Sequence, residues 1–354
     1  MQILSNVLIS AQGPKQILFA ATDLNMSASG VLPAQIVKGG SVTLPAKTLY
    51  DIVRSMPEGP VTLKAEGESI EINSGRSRFK LLGLPAEDYP KLPSVEGVDF
   101  FEIDSGFMLK MIERSSFSIS SDETRPHING ALYQGDGKTL RMVTTDGHRL
   151  SKVEFKTEES NFYNFNMVIP NKGIGEIRRL LDEGEGPVFI GAHDGSLFMR
   201  REVEVEKSQE GAPAESAEFV LVSKLIEAEF PPYDQVIPKG HDKELIVSRI
   251  SLLEALKRVS VVSSERTLGV KFGISDGALE ISTDNPSVGE GSEMVDVGYE
   301  GEEMAIGFNA RYFIDVLNVL DDNDVKLLLS GSLDPAVITD SDGTYVGVIM
   351  PMRI

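Results

Sequence analysis

Two apolar-alternating runs joined by a tight turn recur three times along the chain. From Asn129 the text reads NGALYQGDGKTLRMVTTDGHRL, with Gly135-Asp136-Gly137-Lys138 as the hairpin turn between runs of period two. NVLISAQGPKQILFAATDL from Asn6 has the same form, and LGVKFGISDGALEISTDN from Leu268 repeats it around Ser275-Asp276-Gly277. Each copy closes on Thr-Asp, at Thr22-Asp23, Thr145-Asp146 and Thr283-Asp284. A helix start follows at Pro45, Pro170 and Asn309, which lie 23, 25 and 26 residues past the Thr. Spacings of 123 and 138 residues are too long for a solenoid repeat and suit three similar domains.

Helical spacing of apolar residues predicts five helices, over 45–57, 106–118, 170–182, 249–266 and 309–321. In the first, Pro45 occupies the favourable first turn and Leu49, Ile52, Val53 and Met56 form the apolar face. The second and third hairpins are each preceded by a strand and a helix: Val98 to Ile103 with SGFMLKMIERSSFSIS, and ELIVS with RISLLEALKRVSVVSS. The first hairpin has no such preface. Two explanations are open, a start assigned late at an internal Met or one fewer helix per subunit. With that helix missing, exposing the face of Leu49, Ile52 and Val53 is expected to weaken the first domain by roughly 1.5 to 3 kcal/mol per large side chain left uncovered. The Pro- and acid-rich segments PAEDYPKLPSVEG and EFPPYDQVIPKG read as linkers and divide the chain into domains at 1–97, 98–238 and 239–354. A charged, Ala/Gly/Pro-containing stretch, Ser208 to Ser216, reads as a mobile insertion in the second repeat.

A length of 354 residues agrees with two or three domains at ~150 residues each. Cys is absent, which excludes a disulfide framework, a zinc-thiolate site and a thiol nucleophile. MQILSNVLIS lacks the flank and cleavage site of a signal peptide, and no apolar run approaches the ~20 residues of a membrane span, so a soluble, cytoplasmic protein is expected, with no membrane partner. The chain has no nucleophile elbow, no P-loop and no His-rich metal motif, and its four His, at 127, 148, 193 and 241, are dispersed; neither metal nor cofactor is expected.

The net charge of -20 argues at first sight against a nucleic-acid partner, but its distribution is uneven. The five predicted helices hold 12 Lys/Arg against 8 Asp/Glu, whereas the rest of the chain holds 22 against 46. Thr-Asp, present in all three copies, is read as structural, its side chains bonding local backbone at a strand end. Gly147-His148-Arg149 occurs only in the middle copy and is the better functional signal. One reading pairs Asp146 with His148 in a hydrolase; it is weak, because residues two apart on a strand share a face without forming an acid-base relay.

TDGHRL, RSRFKLLGLPAEDYP, FPPYDQVIP, IGFNARYFIDVLNVL and the terminal VIMPMRI resemble, in order and across essentially the whole chain, the bacterial DNA polymerase III beta subunit (beta sliding clamp) family. The resemblance implies an α+β fold of three repeated DNA-clamp domains, helices lining a channel and antiparallel sheets outside, in a head-to-tail homodimeric ring. It implies a non-catalytic processivity factor of DNA replication that encircles duplex DNA without reading its sequence. A second-copy clamp conferring resistance to a clamp-binding antibiotic would share these motifs. Implied channel residues are Lys47, Arg54, Lys110, Arg114, Lys172, Arg178, Arg179, Lys257 and Arg258. Implied interface residues are Phe101 and Ile103 on one side and Val261 and Val262 on the other. A partner-peptide pocket maps to Ile128, Thr145, Gly147, His148, Arg149, Leu150, Pro231, Val236, Asn309, Tyr312, Leu333, Val348, Met350, Pro351 and Met352. Its implied ligands are Gln-Leu-x-Leu-Phe-like motifs of the polymerase III alpha subunit, the clamp loader, repair polymerases, and mismatch-repair and ligase proteins. Met and Leu suit such promiscuity. The chain departs from the family at Gln235, where Arg is frequent, and at Pro126-His127, where an aromatic pair is common.

Overall fold

The structure is a computed structural model and describes residues 1–156, 164–182, 184, 186–205, 215–264 and 268–353. After a 3-10 turn at Gln2–Ser5, the first repeat runs β1 (Asn6–Gln12), β2 (Gln16–Thr22), β3 (Met26–Pro33), β4 (Ser41–Pro45), α1 (Ala46–Ser55), β5 (Thr62–Glu66), β6 (Ser69–Ser74) and β7 (Ser77–Leu82). The second begins with β8 (Phe101–Asp104) and α2 (Ser105–Ser115). It continues as β9 (Gly130–Asp136), β10 (Thr139–Thr145), β11 (Arg149–Lys156), β12 (Asn164–Pro170), α3 (Asn171–Asp182), β13 (Pro187–His193), β14 (Ser196–Val205) and β15 (Glu215–Lys224). The third repeats that order: β16 (Lys243–Ser248), α4 (Arg249–Ser260), β17 (Gly269–Ser275), β18 (Ala278–Asn285), β19 (Gly289–Gly298), β20 (Met304–Asn309), α5 (Ala310–Val319), β21 (Asp324–Leu329), β22 (Ala336–Thr339) and β23 (Tyr345–Ile349).

The five expected helices are all present, four of them one to three residues shorter. The fourth differs most, because α4 closes at Ser260 and turns at Val261 to Ser263. The expected mobile insertion lies outside the described residues, except for Glu215 and Ser216, which open β15. Local chemistry explains the punctuation. Asp136 Oδ1 accepts the Lys138 and Thr139 N–H groups, and Gly137 supplies the positive φ of +87° that closes the hairpin. Asn309 caps α5 by accepting the Arg311 N–H at 2.9 Å, and Ser248 accepts the Ser251 N–H at the start of α4.

Each repeat forms the same pair of half-sheets. One has the order β4-β1-β2-β3, then β12-β9-β10-β11, then β20-β17-β18-β19; the other is β5-β6-β7, then β8 with β13-β14-β15, then β16 with β21-β22-β23. The half-sheets join across repeats. β15 pairs antiparallel with β3 to give an 8-stranded sheet, while β23 pairs with β11 and, within the third repeat, β16 meets the end of β19 to give a 12-stranded sheet. Two compact units result, and they cut across the repeats: Met1–Ser105 with Arg179–Leu225, and Gly106–Arg178 with Ile226–Ile354.

In the first unit, Ile9, Leu44, Leu49, Ile70 and Ile72 form an apolar core. Tyr89 donates its hydroxyl to the Asn6 and Ala20 carbonyls, while Arg201, 1% exposed, binds the Leu180 and Leu181 carbonyls at the end of α3. In the second unit, the rings of Phe272, Phe308 and Phe313 pack at 4.9 to 5.3 Å between centroids, and α4 lies against α5. That contact has no counterpart on α1 among the described residues. Val316 and Leu317 of α5 are buried, whereas the equivalent Ile52 and Val53 of α1 are half-buried and exposed. The expected bare face is therefore real only in part, because Leu49 turns into the sheet and is 8% exposed.

Leu49→Ala is expected to cost about 2 to 4 kcal/mol and Val53→Ala less than about 0.5 kcal/mol in chemical denaturation, since only the first opens a cavity; equal losses would contradict this packing. On β11, burial would raise the Glu154 carboxyl, but hydrogen bonds from Arg141 and Lys156 and the charge of Lys152 outweigh burial and hold it at about 2. The folded value lies below the ordinary 4.5, so its stabilisation is present above pH 4.5 and fades as pH falls toward 2. Glu154→Gln should lower stability by about 1 kcal/mol at pH 7, after discounting for solvent screening, with the gap to wild type closing below pH 4 in pH-dependent melting.

Candidate functional site

The turn after β10 is built by its own side chains. Thr145 Oγ1 donates to the Arg149 carbonyl at 2.6 Å and accepts the Gly147 N–H at 3.1 Å, and Asp146 Oδ1 accepts the N–H groups of His148 and Arg149 at 2.8 and 3.0 Å. Gly147 sits at φ +90°. Thr22 and Asp23 make the same four bonds in the first repeat, where Leu24 takes the position of Gly147 at φ +75°. The third copy differs. β18 continues to Asn285, and Thr283 Oγ1 instead donates to the Gly269 carbonyl. The structural reading of Thr-Asp thus holds for two copies of three.

This geometry disfavours the hydrolase reading. Asp146 accepts two main-chain N–H groups and Arg149 Nε, so its carboxylate is engaged by backbone and guanidinium rather than by the His148 imidazole. His148 is exposed, and its carbonyl accepts the Met350 N–H at 2.9 Å. Met352 N–H then reaches the Gly307 carbonyl at 2.9 Å. The C-terminal Met350-Pro351-Met352 is therefore laid from the turn after β10 to strand β20.

Leu150 and Val348 face each other across β11 and β23 and belong to one apolar cluster with Leu132, Val143, Val168, Phe230, Tyr233 and Val337. Both are nearly fully buried. Ile128, 4% exposed in the turn Pro126–Ile128, is likewise interior. Tyr312, Thr145, Pro231, Pro351 and Met352 are half-buried, while Val236, Leu333 and Met350 stand exposed. Leu333 projects from the turn before β22, and Asn309 is occupied as the α5 cap.

Arg149 lies among these residues with each of its three guanidinium nitrogens engaged. Nε binds Asp146 at 3.1 Å, Nη1 binds Asp315 of α5 at 2.6 Å and Nη2 binds the Phe117 carbonyl at 2.6 Å, with the guanidinium over the rings of Phe117 and Tyr312. It clasps the second repeat to the third. Burial, and then the Asp146 charge, raise the Tyr312 phenol, so it stays a neutral donor at physiological pH.

Of the predicted channel residues, Lys47, Arg54, Lys110, Lys172, Arg178, Arg179, Lys257 and Arg258 lie exposed on helices. Several have carboxylates close by: Arg178 is 3.4 Å from Glu113, Lys257 3.1 Å from Glu254 and Arg258 2.5 Å from Glu293. Arg114 is a correction. It is 4% exposed and bound to Asp340 and Asp321, so its charge serves the interior and is not presented to a phosphate.

Phe101 and Ile103 are a second correction. They are 7% and 3% exposed, on a strand paired with β13, and cannot offer side chains to a partner. Not singled out from the sequence is β7, one edge of its three-stranded sheet, where Phe79 and Leu82 are exposed alongside Arg76, Arg78 and Lys80. Alternation in RSRFKLL was the available signal. Val261 is 80% exposed after α4, while Val262 is half-buried beside β19.

Comparison with known proteins agrees with this architecture repeat by repeat. Models of the DNA polymerase III beta subunit match along the chain: its N-terminal domain at residues 1–93, its central domain at 102–232 and its C-terminal domain at 234–353. The beta sliding clamp of Escherichia coli K12 is 35% identical over 358 residues, and that of Pseudomonas aeruginosa 34% over 357, each alignment covering 100% of this chain and 93% of the relative. A crystal structure of the Pseudomonas aeruginosa sliding clamp bound to griselimycin superposes with a TM-score of 0.90 at 34% identity, covering 100% of this chain and 92% of that one.

Proposed function

Because this chain belongs to the DNA polymerase III beta subunit (beta sliding clamp) family, we propose that it joins a second copy head to tail around duplex DNA and receives partner peptides beside its C-terminus. It is a sliding clamp, a non-catalytic processivity subunit whose partners are DNA and the replicative polymerase. Residues 1–97, 98–238 and 239–354 are its three clamp domains on this reading, and it works in the cytoplasm.

The observation that carries ring closure is the pairing across repeats. β15 takes the edge of β3 and β23 takes the edge of β11, so one strand of each kind is left over: β7 at the start and β19 at the end. β19 pairs with β16 only at Val297 and Gly298, leaving the edge from Glu290 to Val295 open. The two edges are complementary in charge, with Arg76, Arg78 and Lys80 on one and Glu290, Glu293 and Asp296 on the other. β7 of one copy on β19 of the next closes after two subunits, with Phe79 and Leu82 meeting Val261 and Val262. This replaces Phe101 and Ile103.

Phosphate contacts position a protein without reading sequence, and a weakly basic lining permits sliding. The exposed Lys47, Arg54, Lys110, Lys172, Arg178, Arg179, Lys257 and Arg258 suit that lining. Retention comes from enclosure, which makes the charge of -20 compatible with a polyanion. At the peptide site, Met350, Met352, Val236, Leu333 and Pro231 rim the floor of Leu150 and Val348, an adaptable apolar surface for Gln-Leu-x-Leu-Phe-like motifs of the polymerase, the clamp loader and repair proteins.

Deleting Met350 to Ile354 should abolish capture of a labelled Gln-Leu-x-Leu-Phe peptide in fluorescence anisotropy while leaving the dimer intact by sedimentation; unaltered affinity would contradict the site. Once loaded on nicked circular DNA, the protein should remain bound and then be lost when the circle is linearised. Arg78→Glu/Lys80→Glu should dimerise at least about 10-fold more weakly and fail to be retained on the circle. Retention on linear DNA would exclude the ring.

A further inference from the structure

Strand β23 has an unusual problem of register. Val346 and Val348 face the apolar cluster of the peptide site, while Tyr345 and Ile349 on its other face are both 0% exposed. A strand buried on one face is held in place by its pattern, but a slip here exchanges apolar for apolar. Its register against β11 nevertheless decides where Met350 meets the His148 carbonyl and where Met352 meets Gly307. A slip of one residue would move those methionines by about 3.3 Å.

The start of β23 is held by charge. Asp340 Oδ1 accepts the Tyr345 N–H at 3.0 Å, and Asp340 Oδ2 accepts the Thr344 hydroxyl at 2.6 Å and Arg114 Nη1 at 3.0 Å. Arg114 Nη1 also reaches Thr344 Oγ1 at 3.4 Å, and Nη2 reaches Asp321 at 3.2 Å. Arg114 belongs to α2 of the second repeat and Asp340 to the turn before β23 of the third. Beside them a buried chain of hydroxyls, Ser118 to Ser151 to Tyr345, spans the same seam at 2.8 and 3.1 Å.

We propose that the buried Arg114–Asp340 pair pins the register of β23, making both residues positioning residues for the peptide site. The proposal rests on the peptide-site reading given above. Net stability is a poor reason for the pair, since desolvating two charges offsets their attraction. Arg114 Nε is moreover buried with no hydrogen-bond partner among the described residues. What the pair supplies is uniqueness: only the native register places Tyr345 N–H on the carboxylate that Arg114 holds.

The test is the double variant Arg114→Met/Asp340→Asn, which removes the pair without stranding a charge, set beside Arg114→Lys, which keeps one donor toward Asp340. Three quantities are compared in the full-length protein: affinity for a fluorescent Gln-Leu-x-Leu-Phe peptide with Ser at x, melting temperature, and hydrogen exchange of the Val346 to Ile349 amides. The double variant should bind at least about 10-fold more weakly and exchange faster across β23 while melting within about 3 °C of wild type. Arg114→Lys should stay within about threefold of wild-type affinity. Unchanged affinity and exchange in the double variant would overturn the proposal, as would a melting loss above about 10 °C, which would make the pair a stabilising element instead. If the wild-type protein binds no such peptide, the peptide-site reading falls, and exchange across β23 alone decides whether the pair sets register.

Discussion

A strand edge with unpaired N–H and C=O groups must be covered or paired, and in this protein each repeat depends on the next to do so. β3 is completed by β15 and β11 by β23, each in an antiparallel ladder of at least five residue pairs. The compact units therefore divide the second repeat: one holds the first repeat with β8 and β13 to β15, the other the third repeat with α2, β9 to β12 and most of α3. The same dependence leaves an excess. β7 and most of β19 keep open edges, and on the proposed reading a second copy of the chain pairs them in the geometry already used twice inside it.

Sheet pairing gives cohesion but little choice of register where both faces are apolar. The seam between the second and third repeats supplies that choice through polar contacts. Arg149 joins the turn after β10 to Asp315 on α5, Arg114 joins α2 to Asp340, and serine and tyrosine hydroxyls run between them. These groups are expensive to bury and indifferent to how much apolar surface is covered. They favour one arrangement over its neighbours.

The charge distribution follows a similar division of labour. The five helices carry 11 Lys/Arg against 6 Asp/Glu in a chain of net charge -20. Two of those cations, Arg114 and Arg249, are spent on partners inside the protein. What is left is a modest positive bias, too weak for tight binding to DNA and suited to a protein that holds its ligand by enclosure. Direct base readout would need convergent side chains aimed at base edges, and no such group marks these helices.

Alternation, turn residues and helical spacing are local properties, so the amino-acid sequence alone determined the threefold repeat, the five helices within a few residues and the main-chain bonds of Thr145 and Asp146. It also carried the family resemblance that the whole fold bears out, while the structure seats Leu150 and Val348 together in one buried apolar cluster. Burial and edge exposure belong to pairs of distant segments, and there tertiary structure decided. Phe101 alternates as an interface strand would, yet β13 covers it, whereas Phe79 looks the same in the text and is left at an open edge. Arg114 has the spacing of a solvent-facing helix cation until Asp340, 226 residues away, is folded against it. No local pattern records that meeting, because a side chain's electrostatic role is set by what the rest of the chain brings within 3 or 4 Å of it.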